Sequence, residues 1–250
     1  MTATSTVQRR VPYAGPVLAA AGAAWLWMAL RWGDMGAMPG EVGRGLVAFD
    51  GMWTVMMAAM MLPATAPVAS MYARSITTRR MPQMTLFTAG YFAVWAAAGL
   101  PAYLLAAGAG HAANLRPLAG TVAAAVIFAV NGAYQLSPWK GRCLAKCRTS
   151  VGLLLRYASW RGPSRDLRAG AHHGASCLGC CWTLMALLAA FGVMNLWAMA
   201  GLAALVAVEK VAPFGPAFAR IVGVASLALV VAVFWVPALA PGLTGGAMAT

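Results

Sequence analysis

The sequence predicts an all-α fold, a polytopic transmembrane bundle of about seven helices, and three observations predict it. The chain has 250 residues, of which 62% are apolar and only 9% charged, against about 25% charged in ordinary soluble domains. Its apolar residues fall into seven long runs. Its basic residues collect on alternate sides of those runs. With 18 basic and five acidic side chains, a soluble globule of this size lacks the charge to cover its surface. A soluble enzyme and a nucleic-acid-binding domain are therefore excluded, despite the net charge of +13. The apolar content also excludes disorder. The whole chain, 1–250, reads as one integral membrane domain, with the lipid bilayer as its first partner and no nucleic acid.

A transmembrane helix needs about 20 mostly apolar residues. The first run covers 11–30, free of charge between Arg10 and Arg31. It resembles a secretory signal in outline, but it is too long and reaches Trp25 and Trp27, so a retained helix is expected. The second covers 46–71 and is interrupted only by Asp50; Pro63 and Pro67 should kink it and free backbone carbonyls. The third covers 84–108, the fourth 118–136, the fifth 173–194, the sixth 196–208 and the seventh 221–239. The fifth and sixth should form a tight hairpin at Asn195. The tail 241–250 reads as a frayed, Gly-rich end.

Orientation follows from charge. Arg9 and Arg10, then Arg74, Arg79 and Arg80, then the basic stretch from Lys140 to Arg168, then Lys210 and Arg220 all fall on one side, 15 of the 18 basic residues. Only Arg31, Arg44 and Arg116 fall on the other. Lys and Arg mark cytoplasmic loops. The expectation is a bacterial inner (cytoplasmic) membrane protein with its N-terminus in the cytoplasm and its C-terminus outside.

The five cysteines occupy two short segments. Cys143 and Cys147 follow the fourth run and share a face if their segment is helical. Cys177, Cys180 and Cys181 open the fifth run, with His173 one turn earlier. Both groups should lie at the cytoplasmic boundary, where thiols stay reduced and a structural disulfide is not expected. Thiolates with a nearby imidazole suit a soft ion: copper(I) is preferred, zinc is the alternative. The flanking Lys and Arg favour the thiolate form that metals need. For one shared site, Cys143 or Cys147 should approach Cys177 or Cys181. Packing, lipidation and redox chemistry remain open readings of the same cysteines.

Met52, Met56, Met57, Met60 and Met61 crowd the second run. Thioethers bind Cu(I), and methionine also fills gaps between helices. Met56 and Met60, on the stripe with Met52, are candidate ligands of a second, weaker site or path, with Met57 and Met61 as packing. Asp50 reads as an interfacial carboxylate. Glu209, near the inner end of the sixth run, is costly there unless paired or wet; it is placed at the interface, beside a loop Arg, or in a cation path. His111 reads as a solvated loop residue. No catalytic triad, Walker loop or dinucleotide fingerprint is present, so a binding protein is expected over an enzyme.

Three ordered blocks carry a resemblance. They are Trp53-Thr-Val-Met-Met-Ala-Ala-Met-Met-Leu-Pro63-Ala-Thr-Ala-Pro67, Tyr134-Gln-Leu-Ser-Pro-Trp-Lys-Gly-Arg-Cys143-Leu-Ala-Lys-Cys147-Arg148, and His173-Gly-Ala-Ser-Cys177-Leu-Gly-Cys180-Cys181-Trp182-Thr-Leu-Met185, the last continuing through Gly192-Val-Met194-Asn195 to Glu209-Lys210. Over about 46–216 the chain resembles a bacterial family of predicted metal-binding integral membrane proteins, a domain of unknown function. The resemblance implies metal binding by the cysteine blocks and names neither ion nor reaction. The reading is soft-metal binding, most plausibly copper, in delivery or translocation, with a metallochaperone or membrane complex as partner. The alternatives are a transmembrane thiol–disulfide carrier and a non-catalytic assembly subunit.

Overall fold

The computed structural model describes residues 15–31, 45–77, 79–115, 117–193 and 195–244. Among them, ten α-helices and a short 3-10 turn form the fold, with no strand. They are α1 (Gly15–Leu30), α2 (Leu46–Ser75), α3 (Arg80–Leu115), α4 (Pro117–Leu136), α5 (Pro138–Arg148), α6 (Ser150–Ala158), α7 (Arg165–Phe191), α8 (Leu196–Val211), α9 (Gly215–Trp235) and α10 (Pro241–Thr244).

Five of the described helices are long and apolar enough to cross a membrane: α2, α3, α4, α7 and α9. That is fewer than the seven expected. The other two runs form α1 and α8, each 16 residues. At 1.5 Å per residue α8 is about 24 Å long, less than a hydrocarbon core about 30 Å thick, and the length of α1 is that of its described part. Residues 11–14 of the first run, Arg9, Arg10, Arg44 and Arg116 lie outside the described residues. The turn before α8 follows the expectation at Asn195, whose side-chain oxygen accepts from Trp197 N and Ala198 N at 3.1 Å each.

Three further expectations change. The basic stretch after α4 is helical, as α5 and α6. Ser137 caps α5, accepting from Lys140 N at 3.3 Å, and Pro138 fills the first turn, where its missing N–H costs nothing. The helix α7 begins at Arg165, ahead of the apolar run, so Cys177 lies about 18 Å along it and not at its start. The tail is ordered as far as α10, with Leu243 and Thr244 buried; residues 245–250 lie outside the described part.

The helix α7 is the hub, packing along α3 and also against α4, α5, α8 and α10. Its approach to α3 requires glycine. A side chain at Gly170 would strike the Phe87 carbonyl, and one at Gly90 the Leu167 carbonyl; small residues let membrane helices close this tightly. In α2, Pro63 cannot donate to the Ala59 carbonyl. Trp25 Nε1 of α1 donates to that carbonyl at 2.9 Å, so the backbone group freed by proline anchors the neighbouring helix. The main core gathers Met56, Met57, Met60 and Met61 with Trp95, Phe128 and the cysteines of α7.

Candidate metal centre

Helix α5 packs against α7 and lays Cys147 on its middle, beside Ser176 and Cys180. The Cys147 thiol donates to the Ser176 carbonyl at 3.2 Å, and its sulfur lies 3.5 Å from Cys180 Sγ. The two cysteine segments, 33 residues apart in sequence at this pair, therefore meet. The partner differs from the expectation: Cys180 faces Cys147, while Cys177 and Cys181 turn elsewhere. Cys177 Sγ accepts from Lys210 Nζ at 2.7 Å and lies 3.4 Å from the Tyr91 hydroxyl. Cys181 lies 3.9 Å from Met61 Sδ. Both the Cys180 and Cys181 thiols donate to the Cys177 carbonyl, at 3.1 and 3.0 Å. All five cysteines are free; Cys143 is half-buried and the other four are buried. The hydrogen bond to Cys180 and burial hold the Cys147 thiol well above the usual thiol range.

His173 is buried, stacked between Phe87 and Tyr91 at centroid distances of 6.1 and 5.7 Å. Neither ring nitrogen has a hydrogen-bond partner among the described residues. Burying a polar group without a partner is costly, so the orphaned imidazole fits a ligand role beside Cys177.

A tier of charge braces the site. Glu209 accepts from Lys140 Nζ at 2.6 Å and from Gln135 Nε2 at 2.9 Å, with both ions of the pair fully buried. Lys140 also donates to the Cys180 carbonyl at 2.5 Å. Arg148 donates to the Glu209 carbonyl at 2.7 Å. The Glu209 carboxylate is thus paired inside the protein with a lysine from α5, while Arg148, one of the basic residues expected in a loop, binds its backbone carbonyl. The Lys140 bond fixes α5 against the turn of α7 that carries Cys180.

Met56 and Met60 are buried, as a ligand role requires, but Met61 is the methionine whose sulfur meets a cysteine. Asp50 packs against Gly99 of α3, and its Oδ1 is buried without a partner among the described residues. His111 is exposed. Sequence reasoning missed Lys210 and Lys140, counting both as cytoplasmic loop charges. The signal for Lys210 was its place in an apolar helix beside a second ionisable residue.

No group of three or more His, Cys, Asp or Glu among the described residues converges as a ready metal cage. A structural zinc site needs four ligands, which this arrangement does not assemble. A sulfur pair fits a soft monovalent ion better. A metal–thiolate bond of about 2.3 Å would set two collinear sulfurs about 4.6 Å apart. Cys147 and Cys180, at 3.5 Å, then need to open by about 1 Å, within the reach of rotamer adjustment.

No curated protein and no solved structure matches the chain. A copper chaperone family, PpoB2, matches residues 51–233, a stretch that contains all five cysteines and the methionines of α2. By that match the chain belongs to the PpoB2 copper chaperone family.

Proposed function

We propose that the chain is an integral membrane protein that binds Cu(I) through Cys147 and Cys180 and passes it on, in delivery or translocation. The single observation that carries this reading is the 3.5 Å approach of two buried sulfurs from separate helices. Cys177, Cys181, Cys143 and the unpartnered His173 extend the ligand set for exchange. Lys210, donating to Cys177 Sγ, supplies a positive charge that balances thiolates once metal displaces their protons. Copper is the cargo; the family match supports copper over zinc.

Membrane integration rests on the five long apolar helices and on their exposed apolar side chains, such as Val47, Leu118, Ile221 and Val231. A water-soluble surface rarely shows so much exposed apolar area. In the proposed topology α1 and α8 complete seven crossings of the bacterial inner membrane, with the N-terminus inside. Met56 and Met60 remain proposed as a thioether path beside the cysteines. A metallochaperone or membrane complex is the proposed partner.

Elemental analysis of anaerobically purified protein tests the reading. Copper should accompany the wild type and be absent from a variant with all five cysteines changed to Ser. Equal copper in both would overturn it. The same sulfur pair favours a second reading, a thiol–disulfide carrier, since closing 3.5 Å to the 2.05 Å of a disulfide is a small movement. That reading predicts a reversible Cys147–Cys180 disulfide and no bound copper.

A further inference from the structure

Cys180 and Cys181 are neighbours on α7, so their side chains leave the helix about 100° apart. Cys180 turns to α5, where Cys147 waits at 3.5 Å. Cys181 turns to α2, where its sulfur lies 3.9 Å from Met61 Sδ. Cys181 and Met61 are both buried to within 1% of complete. The cluster therefore contains two sulfur pairs, each joining α7 to a different helix. Cys177 lies between them, since its carbonyl holds both the Cys180 and the Cys181 thiol.

We propose that Cys181 and Met61 form a second Cu(I) position, separate from the Cys147–Cys180 pair and placed to exchange metal with it. The proposal rests on the copper reading above. A thioether is neutral and soft, so it holds Cu(I) and rejects zinc, magnesium and other harder ions. With one thiolate in place of two, this position is the weaker of the pair. Binding requires only loss of the Cys181 proton and the formation of two metal–sulfur bonds; no electron changes hands. The same face of α2 carries Met57 and Trp53 towards Asp50, because positions 50, 53, 57 and 61 recur at helical spacing. The weaker position thus lies on the side of the thiolate pair that faces the methionine stretch.

The test is an anaerobic Cu(I) titration of the detergent-purified full chain against a chromophoric Cu(I) chelator. Wild type should take up about two equivalents, one at each soft-ligand pair. Met61→Leu keeps the side-chain volume and should lose the weaker equivalent while keeping the tighter. Cys181→Ser should lose the same one, which covers a folding failure of either variant alone. Cys147→Ser/Cys180→Ser should lose the tighter one. Two equivalents retained in Met61→Leu and in Cys181→Ser would overturn the second position. So would a single wild-type equivalent that vanishes in Cys147→Ser/Cys180→Ser and is untouched by Met61→Leu; the copper reading survives that result. No uptake by wild type would overturn both.

Discussion

The cysteine tier and the methionine stretch of α2 are both buried and both rich in sulfur, yet they are held in different ways. Around the cysteines, the charged groups have fixed partners, and His173 is the unpartnered exception. Glu209 binds Lys140 and Gln135, Lys140 also binds the Cys180 carbonyl, and Lys210 binds Cys177. Around Met56, Met57 and Met60 the neighbours are apolar core residues, and the polar contacts nearest to them join indole N–H groups to backbone carbonyls, Trp25 to Ala59 and Trp53 to Trp95. The first region is positioned by directional bonds and is intolerant of change. The second is positioned by packing and accepts shape-preserving substitution. A site that grips needs fixed ligands, and one that passes an ion along needs ligands that can swing; the two regions match those needs.

The comparison breaks most severely at Lys140. Lys140→Met strands the Glu209 carboxylate in the interior and should cost about 3–5 kcal/mol. It also removes the tie from α5 to Cys180, so copper retention should fall even where the variant folds. Thermal unfolding in detergent measures the first effect, and adding Glu209→Gln should recover much of the stability without restoring the tie. Next comes the crossing of α3 and α7. Gly170→Ala drives a methyl group into the Phe87 carbonyl and should cost about 1–3 kcal/mol as an overpacking change, read in the same unfolding assay.

Smaller effects sharpen the contrast. Met56→Leu/Met60→Leu should cost under about 1.5 kcal/mol. Copper-dependent growth should fall in that variant if these thioethers carry metal, and match wild type if they only pack. The smallest effect is kinetic. In metal-free protein Cys143 is half-buried, whereas Cys147 is buried and its thiol is held above the usual range. A thiol with a raised pKa is a thiolate only at higher pH. Alkylation followed by mass spectrometry should therefore label Cys143 first, with Cys147 slow to react in the folded protein.

The all-helical class and the runs that become α2, α3, α4, α7 and α9 were legible in the sequence; the meeting of the two cysteine segments was expected only for a shared site, and with Cys177 or Cys181 where Cys180 is found. Apolar periodicity and the i,i+4 spacing of Cys143 and Cys147 depend only on local geometry. Which sulfur faces which was not legible. That depends on the phase of α7, and α7 starts at Arg165 because helix continues through a polar turn that hydropathy assigns to a loop. The burial of Lys140 and Lys210 was hidden for a similar reason. A lysine near a helix end reads as cytoplasmic charge unless a partner such as Glu209 or Cys177 is brought to it by another helix. Met61 was grouped with packing because helical stripes rank methionines by face, and the face that matters was set by α7.

The central claim, that Cys147 and Cys180 hold Cu(I), is tested most directly by copper K-edge X-ray absorption on the full chain loaded with about one equivalent of Cu(I). The account predicts a low-coordinate Cu(I) edge with a sulfur shell near about 2.3 Å, lost in Cys147→Ser/Cys180→Ser. A shell of nitrogen and oxygen, or a sulfur shell unchanged in that variant, would contradict it.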